Sequence, residues 1–146
     1  VVTMAKGLGG GLPVGACLCS ERLGGVMGPG THGSTFGGNP VVCAAGRYML
    51  TRLTDPDFLA QVARKGEVFR RRLAAMPHVA EVRGLGMMLG VKLEKGTSRE
   101  VAEKCLENGL LILTAKTLLR LLPPLNISEE EMDRGLSILE STLASL

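Results

Sequence analysis

Val1-Val2-Thr3-Met4-Ala5-Lys6-Gly7-Leu8-Gly9-Gly10-Gly11-Leu12-Pro13-Val14-Gly15-Ala16 opens the chain and organises the rest of it. An apolar, β-branched run carries one lysine to its end, and a glycine-rich, proline-punctuated turn comes at once after it. Glycine admits positive φ and lets another body approach the backbone, because no Cβ stands in the way. The pattern predicts a buried strand over 1–5, a turn over 6–13 and a second strand over 14–20. Two readings of Lys6 stay open on these residues alone. One is a solvated lysine at a strand end; the other is an amine set to meet something planar and bulky.

Outward from there, 21–31 reads as a loop closed by Gly28-Pro29-Gly30. His32-Gly33-Ser34-Thr35-Phe36-Gly37-Gly38-Asn39-Pro40 then ends in a helix start, with Asn39 as N-cap and proline at the first helical position. That helix is expected to reach about Leu53, with Val41, Ala45, Tyr48 and Met49 on one face. Asp55-Pro56 opens another helix, whose buried stripe is Phe58, Val62, Phe69 and Leu73. Short strands are expected over 79–83 and 87–93 about Gly84-Leu85-Gly86. Thr97 with Glu100 forms a capping box for a helix ending near Gly109. Strands over 110–113 and 118–122 come next. Ser128 with Glu131 caps a last helix that repeats Met132, Leu136, Leu139 and Leu143 at helical spacing, with acidic residues in its first turn. The order suggests the edge of a large α/β domain joined to a small α+β domain.

Composition bounds the function. At 146 residues, 45% apolar and 21% charged, the chain is globular. Aromatic residues make up 3% and tryptophan is absent, so the core must be aliphatic. A net charge of +3 with only Arg70-Arg71-Arg72 clustered, and no aromatic beside it for base stacking, argues against nucleic acid. Cys17, Cys19, Cys43 and Cys105 lack zinc-ligand spacing and read as buried, reduced thiols of a cytoplasmic protein, with no metal expected. Neither a membrane span nor a signal segment is apparent. The abrupt start inside an apolar strand suggests a fragment.

Elimination narrows the chemistry. A phosphate loop of the Walker type needs its lysine after the glycines, and Lys6 precedes them. The dinucleotide fingerprint fails because Gly7-Leu8-Gly9 lacks the third glycine and the acidic partner. His32 and His78 have no nucleophile elbow, since Gly33-Ser34-Thr35 is not Gly-x-Ser-x-Gly. His78, after Met76-Pro77, reads as structural. What remains is Lys6 as an amine for carbonyl chemistry, which works only when neutral and is favoured by desolvation. Ser34 and Thr35, with the helix N-terminus after Asn39, could then hold a phosphate.

At this point the two long stretches are recognisable. Thr3 to Ala16 resembles the cofactor-lysine motif of the class III pyridoxal-phosphate aminotransferases, and His32 to Pro40 resembles their second signature. Val82 to Gly90 and Leu119 to Leu125 are similar to their small-domain strands, so the resemblance spans the chain, and it leans to the branch acting on N-acetylornithine and ornithine.

The resemblance implies the C-terminal part of a fold type I pyridoxal-phosphate transferase: the end of the large domain (1–53) and a small α+β domain (54–146). It implies a cytoplasmic homodimer that uses pyridoxal 5'-phosphate to pass an amino group from a small-molecule donor to 2-oxoglutarate in arginine biosynthesis. Lys6 would carry the cofactor and act in catalysis. Thr35 would bind the cofactor phosphate across a subunit boundary. Ser34 and Arg120 would contact substrate, with Arg120 offering planar, bidentate pairing to a carboxylate; otherwise it is an ordinary strand-surface charge. The family's glycine phosphate loop, ring-stacking aromatic and ring-nitrogen aspartate find no match here. The chain alone is therefore expected to be inactive, with apolar surface bared over 1–5 and 14–18. The alternative is a catalytically inactive remnant that serves as a self-associating or partner-binding domain.

Overall fold

A computed structural model describes all 146 residues, which separate into two compact units, Val1–Leu59 and Ala60–Leu146. The division expected at 53/54 lies in the turn between two helices, whereas the units divide just inside the second of them.

The first unit begins with β1 (Val2–Met4) and β2 (Ala16–Leu18), antiparallel with Thr3 opposite Cys17. Between them lies a single 3-10 turn, Lys6–Gly9, and a second, Glu21–Val26, interrupts the expected loop. The sheet has only these two strands, so the strand expected to be buried is open: Val1, Val2 and Leu18 are all exposed. Cys17, Cys19 and Cys43 are exposed for the same want of a covering layer, and Cys105 alone fits the expected buried thiol. Helix α1 (Pro40–Leu53) starts where proline and its cap place it, Asn39 Oδ1 accepting from Val42 N at 3.2 Å. Its inward residues are Val42 and Gly46, not the predicted Val41 and Tyr48, which face outward. The apolar positions on α1 surround the helix, so periodicity could not single out one face.

Helix α2 (Pro56–Ala74) opens at Asp55, whose carboxylate accepts from Asp57 N at 2.9 Å and Phe58 N at 3.3 Å. The second unit then runs β3 (Val79–Leu85), β4 (Met88–Leu93), α3 (Ser98–Glu107), β5 (Leu113–Ala115), β6 (Leu118–Leu121) and α4 (Glu129–Ala144). Its antiparallel sheet has the order β3-β4-β6-β5. The β3–β4 turn sits one step later than expected, with Leu85 opposite Met88, and β5 begins at Leu113 where the sequence placed its end. Both capping boxes form as predicted, at Thr97/Glu100 and Ser128/Glu131.

Leu73, Leu89, Val91, Val101, Leu119, Leu136, Leu139 and Leu143 close into one core between the sheet and its helices. Gly66 sets how near α2 approaches the β3–β4 turn: a Cβ there would stand 2.7 Å from the Gly86 carbonyl oxygen. Arg70 completes that junction by donating to the Gly84 carbonyl at 2.5 Å. No helix is long and apolar enough to cross a membrane.

Candidate functional site

Lys6 stands where β1 stops, and its backbone is left-handed, with φ 57. A side chain with a Cβ meets its following carbonyl in that region, at about 1–2 kcal/mol. The turn beyond holds it there. Leu8 N donates to Ala5 O at 3.4 Å, Gly10 N to Gly7 O at 3.1 Å and Leu12 N to Gly9 O at 3.1 Å. Gly10 favours glycine, since it has φ 60 and a Cβ would lie 2.9 Å from the Met49 sulfur. Beside the lysine, a Cβ on Gly7 would meet no atom within 4 Å, so the space there is open. Lys6 itself is exposed and joins no ion pair. The desolvation expected for it is thus not provided within this unit, whose glycines leave nothing to cover the amine.

Ser34 and Thr35 are both exposed in the loop that leads to α1. Gly37 N donates to Ser34 Oγ at 2.9 Å, and Asn39 Nδ2 donates to Phe36 O at 2.9 Å, so the loop is folded back on its own side chains. Ser34 accepts in that bond and keeps its own proton to donate. The loop and the β1–β2 sheet flank an open cleft of about 1010 Å³. Met4, Ala16, Ser34, Gly38 and Asn39 line it, and His32 does too. Lys6 and Thr35 are not among its lining residues. Sequence reasoning misses His32 because a histidine without a serine or metal partner carries no chemical signature; its place in the second signature is the available clue.

Arg120 belongs to the second unit, on β6, paired across the sheet with Gly90 and Leu113. Strand alternation buries Leu119 and Leu121 and turns Arg120 outward. It borders an apolar cavity of about 360 Å³ inside that unit, lined by Phe69, Ile112, Leu121 and Leu136 among others. Glu131 is the other charge at that cavity, but its carboxylate accepts from Ser128 N at 3.0 Å and Ser128 Oγ at 2.9 Å. Those bonds hold its carboxyl below the usual range, and Thr97 does the same for Glu100. Both acids are committed to helix caps, and Arg120 enters no salt bridge within the chain.

The donor set can be tested against pyridoxal phosphate. The amine of Lys6 beside an empty glycine flank suits its aldehyde end. Hydroxyls at Ser34 and Thr35 near the start of α1 suit its phosphate. For the ring nitrogen the first unit offers little, because Glu21 is the one carboxylate before Asp55. The residues present suit an aldehyde at Lys6 and a phosphate at the Ser34–Thr35 loop as separate places, and leave the ring to other residues.

Comparison with known proteins bears on the same residues. The family model described as aminotransferase class-III matches residues 1–143. The chain is 47% identical over its whole length to acetylornithine aminotransferase of Haemophilus ducreyi, covering 37% of that protein. It is likewise 47% identical to the Corynebacterium efficiens protein of the same name, covering 36% of it. Among solved structures, N-acetylornithine aminotransferase of Stenotrophomonas maltophilia superposes with TM-score 0.85 at 34% identity, over 98% of this chain and 39% of that one. Ornithine delta-aminotransferase of Plasmodium falciparum gives 0.86 at 30% identity, with the same coverage. The chain thus spans little more than a third of the length of the curated relatives it matches.

Proposed function

Because the chain belongs to the class III aminotransferases, we propose that it is the C-terminal part of an enzyme moving the terminal amino group of N-acetylornithine, or a related ω-amino acid, to 2-oxoglutarate in arginine biosynthesis. The observation that carries this reading is similarity along the whole of this chain to acetylornithine aminotransferases, of which it spans 37% and 36%. Residues 1–53 are assigned to the end of the large cofactor domain and 54–146 to the small domain. The working enzyme is a cytoplasmic homodimer.

Pyridoxal phosphate, when bound, supplies the electron sink that acidifies the carbon–hydrogen bond beside the substrate nitrogen. Lys6 Nζ would hold the cofactor aldehyde. As a free amine it would take the proton from the substrate carbon bearing the amino nitrogen and deliver it to the carbon that was the cofactor's aldehyde, the shift that transamination requires. Ser34 uses its remaining O–H proton to orient substrate, and Thr35 holds the phosphate of the neighbouring subunit's cofactor. Arg120, free of any carboxylate partner within the chain, grips a substrate carboxylate through two parallel N–H donors. Glu21 is exposed and ill suited to hold a ring nitrogen, so catalysis requires the remainder of the enzyme.

The test is borohydride trapping of the purified chain with pyridoxal phosphate, followed by peptide mapping, then assay after co-expression with the rest of the relative. Labelling confined to Lys6 and transamination restored in the co-expressed pair support the reading. Scattered labelling that persists in Lys6→Ala, with no activity in the pair, leaves a non-catalytic binding domain in its place.

A further inference from the structure

Gly90 is a glycine that its own backbone does not require. It sits inside β4, opposite Arg83 on β3 and Arg120 on β6, and neither ladder shifts register there. Its φ lies outside the left-handed region. A Cβ at that position would stand 3.2 Å from Leu118 Cδ1. That atom is the free end of a half-buried side chain, which can turn aside to make room. A glycine inside a strand weakens it, and where it serves no bulge or bend it marks a place that another body approaches closely.

The neighbours of Gly90 indicate what that body is. Leu89 and Val91 are buried in the core, so position 90 opens on the outward face of the sheet, and residues paired across strands share that face. Gly90 is therefore the floor of a strip between β3 and β6, which lie about 10 Å apart at twice the strand spacing. On one side Arg83 donates Nε and Nη2 to the Glu81 carboxylate, both at 2.6 Å, so its charge is already matched. On the other side Arg120 has no acidic partner. Lys92, the next outward residue on β4, stands opposite Glu81, and Leu118 stands opposite Lys92 and leans toward Gly90. One unmatched planar cation, a leucine beside it and a bare strip of backbone suit an aliphatic chain that ends in a carboxylate.

We propose that Gly90 determines specificity by touching substrate: the methylene chain next to the carboxylate gripped by Arg120 lies across Gly90 and against Leu118. An unbranched chain, such as that of 2-oxoglutarate, can rest on bare backbone at this point. A Cβ at position 90 lifts the chain away and spoils the approach of its carboxylate to the guanidinium, although the cation itself is untouched. Arg83 bounds the strip without gripping substrate, because Glu81 holds its two-pronged edge. The inference rests on the role given to Arg120 and adds the residue that limits which chains fit beside it.

The test titrates 2-oxoglutarate, and glutarate as its ketone-free analogue, into the whole chain and follows the Gly90 amide and Leu118 methyl signals by NMR. The expected result is saturable binding, with a dissociation constant on the order of millimolar, that shifts both signals and disappears in Arg120→Ala. Gly90→Ala should weaken binding about fivefold and Gly90→Val about tenfold or more. Amide exchange on β4 and β6 checks that the sheet is intact in each variant. Gly90→Ala should weaken binding by the same factor when added to Leu118→Ala, where the new Cβ no longer meets the leucine. Disappearance of its effect in that background would mean that the glycine only seats Leu118, and would overturn the proposal. In the reconstituted enzyme the loss should fall on KM for 2-oxoglutarate more than on kcat, and the reverse would also overturn it. Binding lost in Arg120→Ala but indifferent to Gly90→Ala would sink this inference and leave the Arg120 role standing. Absence of any Arg120-dependent effect, in the chain and in the enzyme, would sink both.

Discussion

Residues 60–146 and residues 1–59 use similar apolar material to opposite ends. In the second unit nearly every predicted core position is sealed, from Phe69 on α2 to Leu143 on α4. In the first, Leu8, Val42 and Phe58 are the buried large hydrophobics, while Val1, Val26 and Phe36 are 78%, 71% and 81% exposed. The unit with the dense core holds carboxylates spent on helix caps and the outward Arg120. The thinly packed unit holds the strained lysine, the open cleft and the hydroxyls. Stability and candidate chemistry are divided between them, and the division can be broken from either side.

The largest effect is expected at Lys6. Lys6→Ala in the reconstituted enzyme should lower kcat by at least about 10²–10⁴-fold, the usual share of a positioned acid–base group. Because the side chain is exposed and unpaired, unfolding of the chain should shift little. A large loss of stability would mean that the lysine is structural and the contrast between units is wrong.

Next comes the core. Leu139→Ala removes a side chain with no exposure and should cost about 2–5 kcal/mol in urea unfolding. Val42→Ala loses two methyl groups from a far smaller cluster and should cost about 1 kcal/mol. Amide exchange read separately on α4 and α1 distinguishes the two units, since one global transition is not assured. Equal costs would erase the comparison.

A finer probe returns to the backbone. Lys6→Gly should be more stable than Lys6→Ala by about 1 kcal/mol, because glycine takes the left-handed region without the Cβ penalty. Elsewhere on strands and helices the same pair of substitutions runs the other way. A reversal at Lys6 would show strain held at the candidate site.

What the sequence disclosed obeys the same divide. Where an element packs against a complete partner layer, periodicity sufficed, as for the Met132–Leu143 stripe, whereas both capping boxes and the Asn39 and Asp55 helix starts were readable in either unit because a cap is set by neighbouring residues alone. In the first unit the pattern of Val1–Ala5 said buried and the structure is open, since a strand's composition reflects the sheet of the whole protein. The Lys6 backbone was invisible for another reason: a lysine at positive φ contradicts its own propensity, and only the surrounding glycines hinted at it. Leu110–Ile112 reads as a strand, but pairing with β6 begins only at Leu113 opposite Arg120. Lys6, Ser34, Thr35 and Arg120 came from motif resemblance; spacing alone left Lys6 ambiguous.

The smallest expected effect is one of acid. Glu131 and Glu100 have carboxyls held below their ordinary 4.5, first by a backbone N–H and then by a hydroxyl at each cap. Glu81 is lowered chiefly by its hydrogen bonds from Arg83. A carboxylate depressed in the folded state contributes stability that is present above its unfolded value. That contribution is lost as pH falls through the lower folded value. The second unit should therefore hold its stability from neutral pH down to about 4.5 and lose it progressively below. These groups are solvent-exposed, so the decline should be shallow and partly screened by salt. Glu131→Gln keeps a side chain that can accept from the cap while removing its titration. It should flatten the acid limb for α4 in exchange measurements and leave α1 unchanged. If α1 responded equally, the two units would be coupled in acid, and the thin one would draw its stability from the dense one.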